Sequence, residues 1–338
     1  LIDLRSDTVT RPTPGMLAAM MHAKVGDDVF HEDPSVNELE EKMAALFGME
    51  SALYCVSGTM SNQIAIKCST RPGDEVICER EAHVYIYEGA GIAFNSASQV
   101  KAIAGDRGRI KAEQIPEAIN PDDVHKARTS LVCLENTSNR GGGSCYDMEE
   151  IKKIREICDE NKLNLHLDGA RLFNALVARH EKPADYGSLF HSISVCFNKG
   201  LGCPAGSVLL GSSDFIRQAR RIRKVFGGGL RQAGFLAATA LYALEHHVDR
   251  LAEDHAHAKQ IADALGHSSF VKSIFPVETN LVIFETVSTM NPKTFVAKMK
   301  TAGILLLPIS DTRLRMVTHI DISSAMTDAV CQAIHHLS

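Results

Sequence analysis

The 338-residue chain is long enough to bury one large core, or a large core and a smaller partner. Its 45% hydrophobic and 23% charged residues are ordinary globular composition, and a net charge of −5 offers no electrostatic case for nucleic acid or an anionic membrane. No apolar run approaches the roughly 20 residues that span a bilayer.

The nine cysteines show neither a CxxC pair nor any metal-ligand spacing, so no metal is expected. An odd count without a secretory leader points to a reducing, cytoplasmic compartment. The chain starts at Leu1 rather than Met, which leaves an upstream targeting segment open.

The first residues, "LIDLRSDTVT", read as an arm over 1–15 whose polar Arg5-Ser6-Asp7-Thr8 follows no periodicity. From about residue 35, short apolar runs alternate with helical patterns. The runs are Ala52–Val56, Val76–Cys78, Val100–Ala104, Ser130–Leu134, Leu163–Leu167, Ile193–Phe197 and Ser207–Leu210. Helical periodicity fills Val36–Phe47, Asp147–Asn161 and Asp214–Val225. This alternation predicts an α/β domain with a mostly parallel sheet covered on both faces. From Gly234 one long helical pattern runs to about Leu265. A smaller α+β segment follows, with strands at Leu281–Phe284 and Leu314–Val317 around a helix at Pro292–Ala302. The expected division is a large domain over 16–245 and a small one over 246–338.

Ligands of α/β sheets gather beyond the carboxyl ends of the strands, so the residues there are the candidates. "SGTMSN", Ser57 to Asn62, opens a helix where free N–H groups suit a phosphate, or it is simply a turn and N-cap. His83 follows the next run, beside aromatics, and a lone histidine also has a plain structural reading. Asp168 ends Leu163–Leu167 and needs a cationic partner if buried; Arg171, three residues on, offers a structural pair. Lys199 ends Ile193–Phe197 ahead of Gly200, Gly202 and Gly206; a lysine in low dielectric is a competent amine nucleophile. A phosphate cradle, an aspartate for a pyridinium nitrogen, a histidine against a ring and a Schiff-base lysine together describe a pyridoxal 5'-phosphate site.

The motifs "DLRSDTVTRPT", "VGDDVFHEDPSVNELE", "SGTMSNQIA", "LENTSNRGGG", "HLDGARLFNA", "SVCFNKGLGCPAGS" and "LRMVTHID" run through the chain collinearly. In these the sequence resembles the threonine aldolases, of the aspartate-aminotransferase-like fold type I. The resemblance implies a large domain with a seven-stranded, mostly parallel sheet and a smaller C-terminal α+β domain. It also implies a homodimer or homotetramer with active sites between subunits, where Arg231 of "GGGLRQ" reaches a neighbour's cofactor. Lys199 would carry pyridoxal phosphate, Asp168 its ring nitrogen and His83 its ring face. Ser57, Gly58, Thr59 and Asn62 would hold the phosphate. Ser6, Arg171 and Arg315, with Arg313 as fallback, would hold the substrate α-carboxylate.

Four positions depart from the family pattern. Ser138 stands where the family has a histidine that handles the β-hydroxyl, Phe30 where it commonly has tyrosine, and Asn198 where it has serine. His31 replaces a customary glycine. Phe30, His31 and Ser138 are therefore expected around the substrate side chain. The implied reaction is a carbon–carbon lyase reaction of amino-acid metabolism, cleaving L-threonine or L-allo-threonine to glycine and acetaldehyde. His83, or water ordered by Ser138, would then serve the hydroxyl. An amino-acid (alanine) racemase on the same scaffold, or a β-eliminating lyase, is the alternative the departures raise.

Overall fold

A computed structural model describes residues 1–337. The seven apolar runs form one sheet, in the spatial order Ser51–Cys55, Ser207–Gly211, Ser192–Cys196, Asn164–Gly169, Thr129–Glu135, Glu75–Glu79, Gln99–Ile103. Ser207–Gly211 is antiparallel to both its neighbours, and every other pairing is parallel. The inner strands are buried along their whole length, so they read as unbroken apolar runs instead of alternating ones. Gln99–Ile103, at the edge, is largely exposed and loses that character.

Local chemistry sets where the covering helices begin and end. Asp33 caps Pro34–Phe47 by accepting from the Val36 N–H at 3.1 Å, Pro34 fits the first turn, and Gly48 ends the helix at φ +62°. Asp147 and Ser212 cap Met148–Glu160 and Ser213–Val225 in the same way. The long pattern after Gly234 is two helices, Gly234–His246 and Leu251–Gly266, rather than one. The break falls at His247, whose Nδ1–H donates to the Leu201 carbonyl at 2.8 Å and holds the chain down against the large sheet's loops.

The second sheet is antiparallel throughout, with Leu281–Thr286 between Val271–Ile274 and Arg313–Val317, and Leu307–Pro308 at the edge. The helix Pro292–Thr301 packs on it through Phe295, which meets Phe270 and Phe284. Of the four apolar clusters among the described residues, the two largest follow this division. One surrounds the large sheet with Phe47, Tyr54, Leu165 and Val195, and the other holds Leu265, Phe284, Phe295 and Met316. The N-terminal arm joins the second: Ile2–Asp3 pairs in parallel with Ile304–Leu305, and Leu4 is fully buried there. Glu278 bridges the two bodies, meeting Arg179 at 3.0 Å, the Cys145 N–H at 3.1 Å and the Arg107 guanidinium. Among the described residues no helix is long and apolar enough to cross a membrane.

Candidate active site

The carboxyl ends of Glu75–Glu79, Thr129–Glu135, Asn164–Gly169 and Ser192–Cys196 open on one side of the large sheet, and the arm and Arg313–Val317 arrive over them. Asp168 sits in the strand end, 1% exposed. Its Oδ1 accepts from the Ala170 N–H at 3.1 Å, while its Oδ2 is buried with no hydrogen-bond partner among the described residues. A carboxylate oxygen buried alone is costly, so this atom calls for a donor from outside the chain.

His83 begins the next short helix, where its backbone N–H donates to Glu135 Oε2 at 2.8 Å and its Nδ1 meets Glu88 Oε1 at 3.0 Å. One ring nitrogen of His83 and one carboxylate oxygen each of Glu88 and Asp168 lie within 4.8 Å of one another. Burial works against a charged His83 ring, yet the Glu88 hydrogen bond and the Asp168 charge outweigh it and raise its pKa above the usual imidazole value. Glu135 stands in register with Asp168 across the sheet. Burial, and then the Asp168 charge, raise its pKa, and its oxygens are taken by the His83 and Asn139 N–H groups.

Lys199 is half-buried in the turn after Ser192–Cys196, which the Gly202 N–H closes onto the Lys199 carbonyl at 2.8 Å. Among the described residues no hydrogen bond or ion pair holds its Nζ, although its charge acts on Asp7, His83 and Cys196. Ser57 caps the helix Gly58–Ser69, leaving the Gly58 and Thr59 N–H groups free among the described residues. Gly58 is needed there: a Cβ would come within 2.4 Å of Cys196 Sγ. That close approach seats the helix start beside the strand that carries Lys199.

The two expected carboxylate arginines differ. Arg171 is 6% exposed and already clasped by Asp7, Nε to Oδ2 and Nη2 to Oδ1, both at 2.7 Å. Burial disfavours the Asp7 charge, but the Arg171 guanidinium overrides it and holds the carboxyl well below its usual range. Asp168 therefore does not pair with Arg171, and Arg171 offers no free fork. Arg315 does. Its Nη1 donates to Asn139 Oδ1 at 2.8 Å and its Nη2 to the Arg5 carbonyl at 3.2 Å, while its Nε is buried without a partner. Among the described residues no carboxylate pairs with it. Burial and then the nearby Arg171 charge lower its pKa, against the opposing pull of Asp7. Ser6 lies next to Asp7, its Oγ accepting from the Thr8 hydroxyl at 2.8 Å.

A family model described as beta-eliminating lyase matches residues 3–288. The low specificity L-threonine aldolase of Escherichia coli K12 is 41% identical over 326 residues, 96% of this chain and 95% of that protein. Low-specificity L-threonine aldolase 1 of Arabidopsis thaliana is 39% identical over 96% of this chain and 92% of its own length. The chain belongs to the threonine aldolases, within the beta-eliminating lyase family. Among solved structures, a Leishmania major threonine aldolase superposes with a TM-score of 0.88 over 100% of this chain and 99% of that one, at 20% identity. A putative L-allo-threonine aldolase from Listeria monocytogenes gives 0.81 over 99% and 96%, at 24% identity. Both support the fold type I architecture.

Threonine aldolases depend on pyridoxal 5'-phosphate, and the residues present fit it. The unpartnered Asp168 Oδ2 suits a protonated ring nitrogen, the free Gly58 and Thr59 N–H groups suit a phosphate, and Lys199 Nζ is unengaged.

Several expected site residues lie elsewhere. Asn62 is one turn into its helix, 1% exposed, with its amide spent on Glu88 (3.0 Å) and His166 (3.1 Å), so it does not face a phosphate. Arg313 is exposed and lies over the Phe275 ring, 5.1 Å from its centroid. Ser138 is 3% exposed, and its Oγ accepts from the Gly141 N–H at 3.2 Å against the backbone of Gly108. It is a buried turn residue whose hydroxyl is bound within its own loop. Phe30 is 67% exposed beneath Arg231, whose Nη1 binds Asp27 at 2.8 Å. His31 takes φ +59°, the left-handed region natural to the glycine it replaces, and its charge neighbours are Arg220, Asp28 and Arg223. One chain by itself does not bring Phe30, His31 and Ser138 together.

Sequence reasoning missed Asp7, Glu88 and Glu135 as site residues. The available signal was an acidic residue with no periodic reason in the arm, and one each beside the His83 and Ser138 motifs. A cavity of about 830 Å³ lined by Leu46, Phe173, Leu176, Leu244 and His246 contains none of these groups, so chemistry and not volume locates the site.

Proposed function

We propose that this chain cleaves L-threonine and L-allo-threonine to glycine and acetaldehyde, with pyridoxal phosphate carried on Lys199. The observation that carries the reading is a pair of unmet groups at the strand ends: among the described residues Asp168 Oδ2 has no donor and Arg315 no carboxylate partner, its Nε buried and unpaired. A cofactor nitrogen and an amino-acid carboxylate answer them.

Bound pyridoxal phosphate supplies the electron sink for a bond broken at Cα. Asp168 keeps a proton on the ring nitrogen. Arg315 binds the α-carboxylate and so fixes which Cα bond is aligned for cleavage, a positioning effect. Arg171, bound by Asp7, braces the arm that carries Ser6 and the Arg5 carbonyl against Arg315. With the Ser138 hydroxyl bound within its own loop, His83 is the group left to take the β-hydroxyl proton, and Lys199 Nζ returns a proton to Cα.

The side-chain end of the site is open within one chain. Tyr85, Ile86 and Tyr87 are 40–49% exposed next to His83, and Phe94 is 88% exposed. Such an apolar rim beside a site calls for a cover. A second copy of the chain, bringing its Phe30 and Arg231, is our reading of that cover, and it makes the enzyme a homodimer or a dimer of dimers. The large unit over 16–245, the small one over 246–338 and a reducing, cytoplasmic setting for nine free cysteines belong to the same reading.

The test is one assay on cofactor-loaded protein given L-threonine, L-allo-threonine and L-alanine separately. The expected result is acetaldehyde and glycine in equal amounts from a β-hydroxy substrate. D-alanine from L-alanine without acetaldehyde from either hydroxy acid would overturn the reading in favour of racemisation.

A further inference from the structure

Five residues make a directed hydrogen-bond chain under the site. Glu88 has a side chain with no exposure, and both its oxygens meet donors: Asn62 Nδ2 (3.0 Å) and His83 Nδ1 (3.0 Å) at Oε1, Gln63 Nε2 (2.6 Å) at Oε2. Asn62 is in turn oriented from behind. Its Oδ1 lies 3.1 Å from His166 Nε2, and His166 Nδ1 lies 2.8 Å from the Ser192 hydroxyl. Burial lowers the His166 pKa to about 4, so this ring is neutral at neutral pH, and the Asn62 oxygen facing Nε2 draws its single proton to that nitrogen. Asn62 must then show its amide hydrogens, and not its oxygen, to Glu88. With Gln63 Nε2 bound to Oε2, Glu88 faces His83 as an acceptor, and the shared hydrogen bond must carry its proton on His83 Nδ1.

We propose that Glu88 is a positioning residue that holds neutral His83 with its proton on Nδ1, leaving Nε2 as the acceptor of the substrate's β-hydroxyl proton. The inference rests on the aldolase reading above and adds the residue that makes His83 a directed base. In the step itself the hydroxyl proton passes to Nε2 and the O–H electron pair becomes the carbonyl π bond. The Cα–Cβ pair stays with Cα, which is then protonated to give glycine. Among the described residues no hydrogen bond occupies His83 Nε2. The groups facing the ring are Glu88, Asp168 from its strand end and Lys199 from the next, with Glu135 on the backbone N–H and the Tyr87 ring 5.7 Å away. Glu88 is the one that hydrogen-bonds the imidazole. The same logic explains why Asn62 and Gln63, inside a helix that opens on a phosphate cradle, point away from it.

The first test reads the unmutated site directly. Ring ¹⁵N NMR of the cofactor-loaded protein, with His83 assigned by its loss in His83→Phe, should show neutral His83 protonated at Nδ1 and bare at Nε2. The opposite tautomer overturns the proposal. Glu88→Gln is the second test. It should lower the His83 titration midpoint by about one pH unit, because an anionic partner is removed. The acid limb of the kcat profile should move down with it, and kcat should fall about a hundredfold, with KM nearly unchanged and the cofactor retained. An unchanged titration and pH profile would overturn the proposal. A variant that merely loosened the fold would lose cofactor without moving the tautomer. Failure of the aldolase reading shows separately, as no acetaldehyde from the unmutated protein.

Discussion

Replacing Asp7 with Asn removes one charge from a fully buried pair and leaves its partner behind. Asp7 is 0% and Arg171 6% exposed, and two contacts of 2.7 Å join them. At a charge separation of about 4 Å and an effective dielectric constant of about 20, the lost attraction is about 4 kcal/mol. Truncating one member of a buried pair costs about 3–5 kcal/mol, because the remaining charge stays desolvated. Asparagine still offers one oxygen to the guanidinium, which places Asp7→Asn near the lower end, about 3 kcal/mol. Urea unfolding at pH 7 and fixed cofactor concentration measures it, as a lowered midpoint with an unchanged slope. The pH dependence carries a sign. The folded Asp7 pKa lies below its ordinary 3.8, so the wild-type advantage is complete above that value and is lost as pH falls through the depressed one. The wild-type and variant curves should therefore stay parallel from neutral pH to about 5 and converge only in strong acid. A carboxylate ligand such as glycine should stabilise the variant more than wild type, since it now finds a free Arg171 fork. A difference below about 1 kcal/mol at pH 7 would put this pair with ordinary surface ion pairs and refute the reasoning.

Two further substitutions test the placement of the loops. Ser138→His should not restore a faster aldol cleavage: the side chain is 3% exposed against Gly108, and overpacking there costs about 1–3 kcal/mol. A rate gain at unchanged stability would show that position 138 faces the substrate after all. Gly58→Ala puts a methyl 2.4 Å from Cys196 Sγ and should cost about 1–3 kcal/mol and weaken cofactor retention. Adding Cys196→Ala should recover most of both losses, and no recovery would point to backbone strain instead of that contact.

The strands themselves and the polar residues that end them were legible in the sequence. Strands buried on both faces must be continuously apolar, so each run announces itself, and the polar residue that ends it stands out: Asp168 after Leu163–Leu167, Lys199 after Ile193–Phe197, Ser57 after Ala52–Val56. The motifs also carried the family, because long collinear stretches hold residue types at fixed spacing. What spacing does not encode is direction and partnership. Asn62 is four residues beyond Gly58, and helical geometry turned it from the cradle into the support of Glu88. Arg313 and Arg315 sit two apart on one strand, yet only the second lies under Asn139 and the arm. Arg171 stands three residues from Asp168 but binds Asp7, 164 positions away, because the arm is carried there by its pairing with Ile304–Leu305. Ser138 stands where the resemblance implies a histidine, while the loop's own hydrogen bonds hold its side chain within the turn. Which residues are present was settled by the chain; which of them meet was settled by how the arm, the large sheet and the small sheet close on one another, since burial makes a charged group take whatever partner the fold brings within reach.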